Sequence, residues 1–363
     1  MIQLMIVDIL LWRIIVIREI IKEKQLPPFK SRKEMLDILQ REEYGYMPPP
    51  PDKISFDVTD KYIKFFCAGK AISKKIDITV SVSGKSFTFP CYASIPTKEG
   101  KHPFFVCINF SDAVVDRFIP TEEIIDSGYA VLSFYHNDVT KDNADFTDGL
   151  AEVFYEAGIR SSDTDPGKIA LWAWAAQRVM DYAETVDSLD KDRAVVCGHS
   201  RLGKTALLAA ATDERFKMAY SNNSGCSGAA ITRGKQGERV YNIYKVFPFW
   251  FCKNYQKYVD NEDEMPFDQH YLAAAIAPRP LYVASAEKDI WADPASEMLT
   301  CAAVSEVYEK YGLDGFISED RLPRVGDEFH EGCVGYHLRA GEHYMGREDW
   351  QKVIRFINRH FEK

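Results

Sequence analysis

From residue 102 onward, unbroken apolar runs alternate with stretches whose apolar residues recur at helical spacing. HPFFVCINF (102–110) and YAVLSFY (129–135) are continuous runs, the pattern of strands covered on both faces. GKIALWAWAAQRVMDYAETV (167–186) carries its apolar residues at the helical period and predicts a long helix. DRAVVCG (192–198) then predicts a strand and RLGKTALLAAATD (201–213) a helix. FKMAYSNNS (216–224) and RPLYVASAEKD (279–289) predict further strands, and GREDWQKVIRFINRHF (346–361) a closing helix. Such alternation implies a three-layer α/β/α sandwich around a mostly parallel central sheet. Ahead of it, KKIDITVSVSGKSFTFPCYASIP (74–96) alternates polar and apolar positions and turns at Ser83-Gly84, which predicts an antiparallel hairpin. Four prolines at 48–51 cannot continue a helix, so they divide a helical extension with its linker (1–50) from a single domain (51–363). The aromatic and charged stretch 226–270 is an excursion between strands, the kind that forms a lid or a substrate wall.

Composition narrows the partners. The 363 residues carry a net charge of −9, which argues against nucleic acid or an anionic membrane as the main partner. The eight cysteines show no C-x-x-C pair and no metal-ligand spacing, and several lie inside apolar runs, which suits a reducing compartment. The opening MIQLMIVDILLWRIIVIREIIKEK is apolar, but Asp8, Arg13, Arg18 and Glu19 interrupt it before it reaches spanning length. It lacks a positive start and a small-residue cleavage site. A helix packed on the domain and a cytoplasmic location are the expectation, with a degenerate export signal as the rival.

The chemistry gathers at CGHSRLGK (197–204). A serine between a strand and an Ala-rich helix, two residues after Gly198, resembles the nucleophile elbow of α/β-hydrolases, usually G-x-S-x-G. Here position +2 is Leu202 and the glycine arrives one place later, at Gly203. The competing role for Ser200 is a helix N-cap. A helix starting after Ser200 directs free backbone N–H groups to where an oxyanion would form, and Arg201 adds a cation there. The chain order Ser, acid, His then asks for an acid and a histidine downstream. Asp289, just past the strand PLYVAS, is the expected acid. Glu287 and Asp293 are rivals in the same loop, Asp293 reading as a cap for the helix that begins at Pro294. His343, in the loop before the last helix, is the expected base. His330 and His337 are its rivals, while His270 precedes the acid and His360 lies in the terminal helix.

CGHSRLGKTALLAAATDERF resembles the glucuronoyl esterases, whose elbow reads G-C-S-R-x-G-K. The resemblance extends through NNSGCSGAA, GERV, MPFDQHYLAAAIAPRPLYVAS, EKDIWADP and GEHYMGREDW, over residues 100 to 360. It implies that Ser200 is the nucleophile, His343 the base, and Arg201 a partner of the oxyanion. It also implies that Lys204, Glu238 and Trp291 contact the sugar hydroxyls of a glucuronate. Read without the family, Lys204 and Glu238 would pass for surface residues, and Gln236 enters only by proximity. Some members carry the catalytic acid as a glutamate after the strand that follows the elbow helix. Asn223 stands there, so Asp289 is expected to serve alone and Asn223 to be dispensable.

The implied reaction is hydrolysis of (4-O-methyl-)glucuronic acid esters in plant cell-wall carbohydrate, with no metal or organic cofactor. Acetyl xylan esterase-like or other short-acyl carbohydrate esterase activity is the alternative, and a catalytically silent sugar-binding relative is a third reading. In the cytoplasm, a short imported uronate ester would be the substrate.

Overall fold

In the computed structural model, which describes residues 16–112 and 116–361, the apolar runs become the middle of one sheet. Its strands are β1 (Lys53–Asp60), β2 (Ala71–Val82), β3 (Lys85–Pro96), β4 (His102–Asn109) and β5 (Ala130–Tyr135). They continue as β6 (Leu189–His199), β7 (Met218–Asn222), β8 (Leu281–Ala286), β9 (Glu328–Phe329) and β10 (Val334–Arg339). The spatial order is β1-β2-β3-β5-β4-β6-β7-β8-β10-β9. From β5 to β10 every neighbour is parallel, and the antiparallel pairs lie at the two ends. The expected hairpin is β2–β3, and its turn residues Ser83 (φ 50°) and Gly84 (φ 81°) are both left-handed, the type I′ geometry that matches strand twist.

Helices α3 (Lys168–Glu184), α4 (Arg201–Thr212) and α5 (Pro294–Ala303) cover one face. There Trp172 and Trp174 are fully enclosed. Helix α6 (Arg347–Phe361) covers the other, packing Trp350, Val353 and Phe356 onto Phe105, Val195 and Tyr282. This is the three-layer α/β/α sandwich that the strand–helix alternation implied. Two strands escaped the sequence reading. β1 is a mostly exposed strand at one end of the sheet with no apolar run, and β9 is only two residues long.

The division at residue 50 is not a division in the structure. Helices α1 (Ile17–Glu23) and α2 (Arg32–Leu39) precede it, and the Ser31 capping box opens α2. Arg32 donates to the carbonyls of Ala211 and Ala275, and the Tyr271 hydroxyl donates to the carbonyl of Pro28. Met35, Leu39 and Tyr44 are buried in the main core. The four prolines lead into β1 and do not release the chain. The earliest part of the apolar opening, residues 1–15, lies outside the described residues. Among the described residues no helix is long and apolar enough to cross a membrane.

Candidate active site

Strand β6 ends at His199, and helix α4 begins at Arg201. Ser200 between them holds φ 58° and ψ −128°, a conformation that side chains rarely adopt. The glycines explain how such a turn is tolerated. A Cβ on Gly198 would lie 2.2 Å from the Leu202 carbonyl oxygen. One on Gly203 would lie 2.9 Å from Ser221 Oγ and 3.0 Å from Ser224 Cβ. The displaced second glycine is therefore the place where α4 passes close over the end of β7. Leu202, at the position usually held by glycine, is buried in the core.

Two loops bring the partners to this turn. His343 Nδ1 lies 2.6 Å from Asp289 Oδ2. Burial alone would raise the Asp289 carboxyl, but the hydrogen bond and charge of His343, the Asn223 amide and the Ala292 N–H hold it below its ordinary value. An ionised carboxylate only accepts, so Nδ1 carries a proton and Nε2 is the ring nitrogen left over. The His343 ring packs on His199, the residue before Ser200, with centroids 4.4 Å apart. His199 is itself fixed by Asn222 Oδ1 at 2.7 Å, and burial followed by the charge of His343 pushes it down to about 3. It is a neutral ring wall.

The other histidines are engaged elsewhere. His330 Nε2 and His337 Nδ1 both meet the Tyr282 hydroxyl, His270 Nε2 meets the Pro27 carbonyl, and His360 Nε2 meets the Gly332 carbonyl. Glu287 is exposed. Asp293 accepts from Ser296 N–H and caps α5, the role its place before Pro294 suggested. Asn223 touches the expected acid: its Nδ2 donates to Asp289 Oδ2 at 2.8 Å. Dispensability was expected because an amide carries no charge, yet a short neutral donor can still fix a carboxylate.

Arg201 turns its Nη1 into an ion pair with Asp142, and its guanidinium lies over Trp250, 4.7 Å from the ring centroid. Lys204 is buried and donates to the carbonyls of Ser224 and Cys226, with Glu238 3.9 Å away. Burial lowers its pKa, and the charge of Glu238 opposes the shift. Trp291 is 53% exposed, beside Ile290 at 70%. The Glu238 N–H donates to the Trp291 carbonyl at 2.9 Å, and Lys235 Nζ donates to the carbonyls of Gln236, Glu238 and Trp291. The loops carrying Glu238 and Trp291 are thus one stitched wall. Lys235 and Asp142 were not singled out from the sequence. Arg201 and Asp142 are 59 positions apart, and nothing local in either stretch marks the pairing.

The family model for glucuronyl esterases of fungi matches residues 78–312. The chain belongs to the glucuronoyl esterase family. Among solved structures, the glucuronoyl esterase from Solibacter usitatus is 34% identical, with a TM-score of 0.84 over 92% of each chain. A promiscuous esterase of carbohydrate esterase family 15 from a marine bacterial metagenome is 31% identical, with a TM-score of 0.81 over 92% of this chain and 91% of its own. The curated carbohydrate esterase MZ0003, from an unknown prokaryotic organism, is 39% identical over 66% of this chain and 55% of its own length. The 4-O-methyl-glucuronoyl methylesterase of Podospora anserina is 30% identical over 69% of this chain and 50% of its own. The chain thus spans about half the length of these curated relatives.

Proposed function

We propose that this glucuronoyl esterase family chain hydrolyses esters of (4-O-methyl-)glucuronic acid in plant cell-wall carbohydrate as a serine carboxylesterase. The observation that carries the proposal is the Asp289–His343 pair packed against the residue before a strained Ser200. In this mechanism His343 Nε2 takes the Ser200 proton, and Oγ attacks the ester carbonyl to give a tetrahedral oxyanion. Backbone N–H groups at the start of α4 and the Arg201 guanidinium stabilise that charge. His343 then protonates the departing alcohol, and water repeats the sequence to release the acid. Lys204 keeps one N–H beyond its two carbonyl bonds, and that donor, Glu238 and Trp291 form the wall for the sugar hydroxyls. No step of this sequence calls for a metal or organic cofactor.

Hydrolysis of benzyl glucuronate, measured beside acetate release from acetylated xylo-oligosaccharide, tests the substrate class. Faster release of glucuronate supports the proposal, and acetate alone overturns it. The likeness to a relative described as promiscuous keeps short-acyl esters as the second reading. Ser200→Ala is expected to abolish turnover while leaving the thermal midpoint near that of the parent. Retained activity would remove Ser200 from the nucleophile's place.

A further inference from the structure

Arg201 stands at the elbow, but a long flexible side chain is useful to a transition state only if its head is already in place. The surroundings of its guanidinium show how it is held. Nη1 pairs with Asp142 Oδ2, while the other oxygen, Oδ1, accepts from Trp250 Nε1 at 2.6 Å. Trp250 therefore anchors the carboxylate with its N–H and faces the guanidinium with its ring. Phe247 stacks on Trp250 with centroids 3.9 Å apart, and Phe247 and Phe110 complete the aromatic seat at 5.4 and 5.7 Å from the guanidinium carbon. The Asp142 N–H is held in turn by Asn137 Oδ1 at 2.8 Å. Asp142 has only 13% of its side chain exposed and Arg201 27%, so the pair lies at the wall of the site and not out in solvent.

What this leaves over is informative. Arg201 Nε is buried with no hydrogen-bond partner, and Nη2 has none among the described residues. A guanidinium so clamped on one arm keeps its remaining donors for something that the described residues do not provide. Nearby His136 is buried, held by the Asn109 carbonyl at 2.9 Å, and pushed down to about 4 by burial, so it adds no competing cation.

We propose that Asp142, seated by Trp250, is the positioning residue for Arg201, fixing its free donors toward the carbonyl that Ser200 attacks. The inference rests on Arg201 acting on the oxyanion. Asp142 touches no reacting atom and works only through the arginine, so its effect must vanish when the arginine is gone.

A double-mutant cycle with benzyl glucuronate tests this. Arg201→Ala is expected to lower kcat by about 10²–10³, the loss typical of an oxyanion donor. Asp142→Asn, which keeps size and removes the charge, is expected to lower kcat by roughly tenfold or more with KM little changed. In the Arg201→Ala background, Asp142→Asn is expected to cost nothing further. Full activity of Asp142→Asn, or an equal loss in both backgrounds, overturns the positioning role. Wild-type kcat in Arg201→Ala would instead overturn the role of the arginine itself, a distinct outcome. Should Asp142→Asn fail to fold, Trp250→Phe removes the indole N–H while keeping an aromatic ring in the seat. It is expected to give a smaller loss of kcat that also disappears without Arg201, and a loss that persists there counts against the proposal.

Discussion

Asp289 Oδ2 is shared by two donors, His343 Nδ1 and Asn223 Nδ2, and its other oxygen accepts from Ala292 N–H. The two donors differ in what they contribute. The histidine becomes charged during the reaction and the amide does not, so their removal should differ in size. Asp289→Asn is expected to lower kcat on the order of 10⁴, by allowing the wrong tautomer of His343. Asn223→Ala should lower it roughly tenfold, near the low end for one hydrogen bond to a charged group. Steady-state kinetics of both variants check the order, and an unchanged Asn223→Ala would return the amide to the role of a bystander. At this scale the sequence was readable where the fold imposes chain order. Ser200, Asp289 and His343 follow from the elbow and from the loops after β8 and before α6. The Asn223 contact was not readable, because it depends on a left-handed residue (φ 48°) turning its amide back toward a different loop.

Elements, not single residues, explain the elbow's odd spacing. The first turn of α4 crosses Gly198 and the end of β7 so closely that Gly203 has no room for a methyl group. Gly203→Ala is expected to destabilise the fold by about 1–3 kcal/mol, as overpacking of a tight interior does. Chemical denaturation measures it, and a neutral result would mean that the helix shifts at no cost. On the opposite side of the site, Arg339 at the end of β10 holds the loop bearing His343. Its guanidinium donates to the carbonyls of Ala340, Glu342 and Tyr344 while Asp349 in α6 accepts from Nε. The apolar runs marked β4 through β8 correctly because both faces of each are covered. β1 could not be found in the same way, since pairing along one edge of β2 and not burial makes it a strand.

Over the whole molecule, two enclosed carboxyls set a pH dependence. Burial pushes Glu43 up to about 8, against hydrogen bonds from Gln269 and Ser227, and Glu297 up to about 7, against those from Gly225 and Ser285. Each keeps its proton in the folded state at pH values where the unfolded chain, with an ordinary value of 4.5, has lost it. The folded form then binds more protons, so stability falls as pH rises from about 4.5 through the folded pKa. Glu297→Gln is expected to flatten the part of that fall ending near pH 7. Asp289 and Asp349, whose pKa values are lowered, act with the opposite sign at lower pH and cancel in the comparison. Denaturation of both proteins at about pH 5 and about pH 8 checks this, the variant gaining on the parent at the higher value. A gap that stays constant would mean that Glu297 is ionised in the fold.

The segment ahead of the four prolines has a practical consequence for anyone choosing where to cut the gene. The Glu43 carboxyl accepts from the Gln269 amide at 3.1 Å, and the Tyr44 hydroxyl donates to the Ser227 carbonyl at 2.8 Å. An expression clone opened at residue 51, the boundary the prolines invite, would leave those buried groups facing a void. Such a clone is expected to accumulate as insoluble protein, whereas one opened at residue 27 should yield soluble enzyme. The yield of soluble protein from the two clones, compared on one gel, is the check.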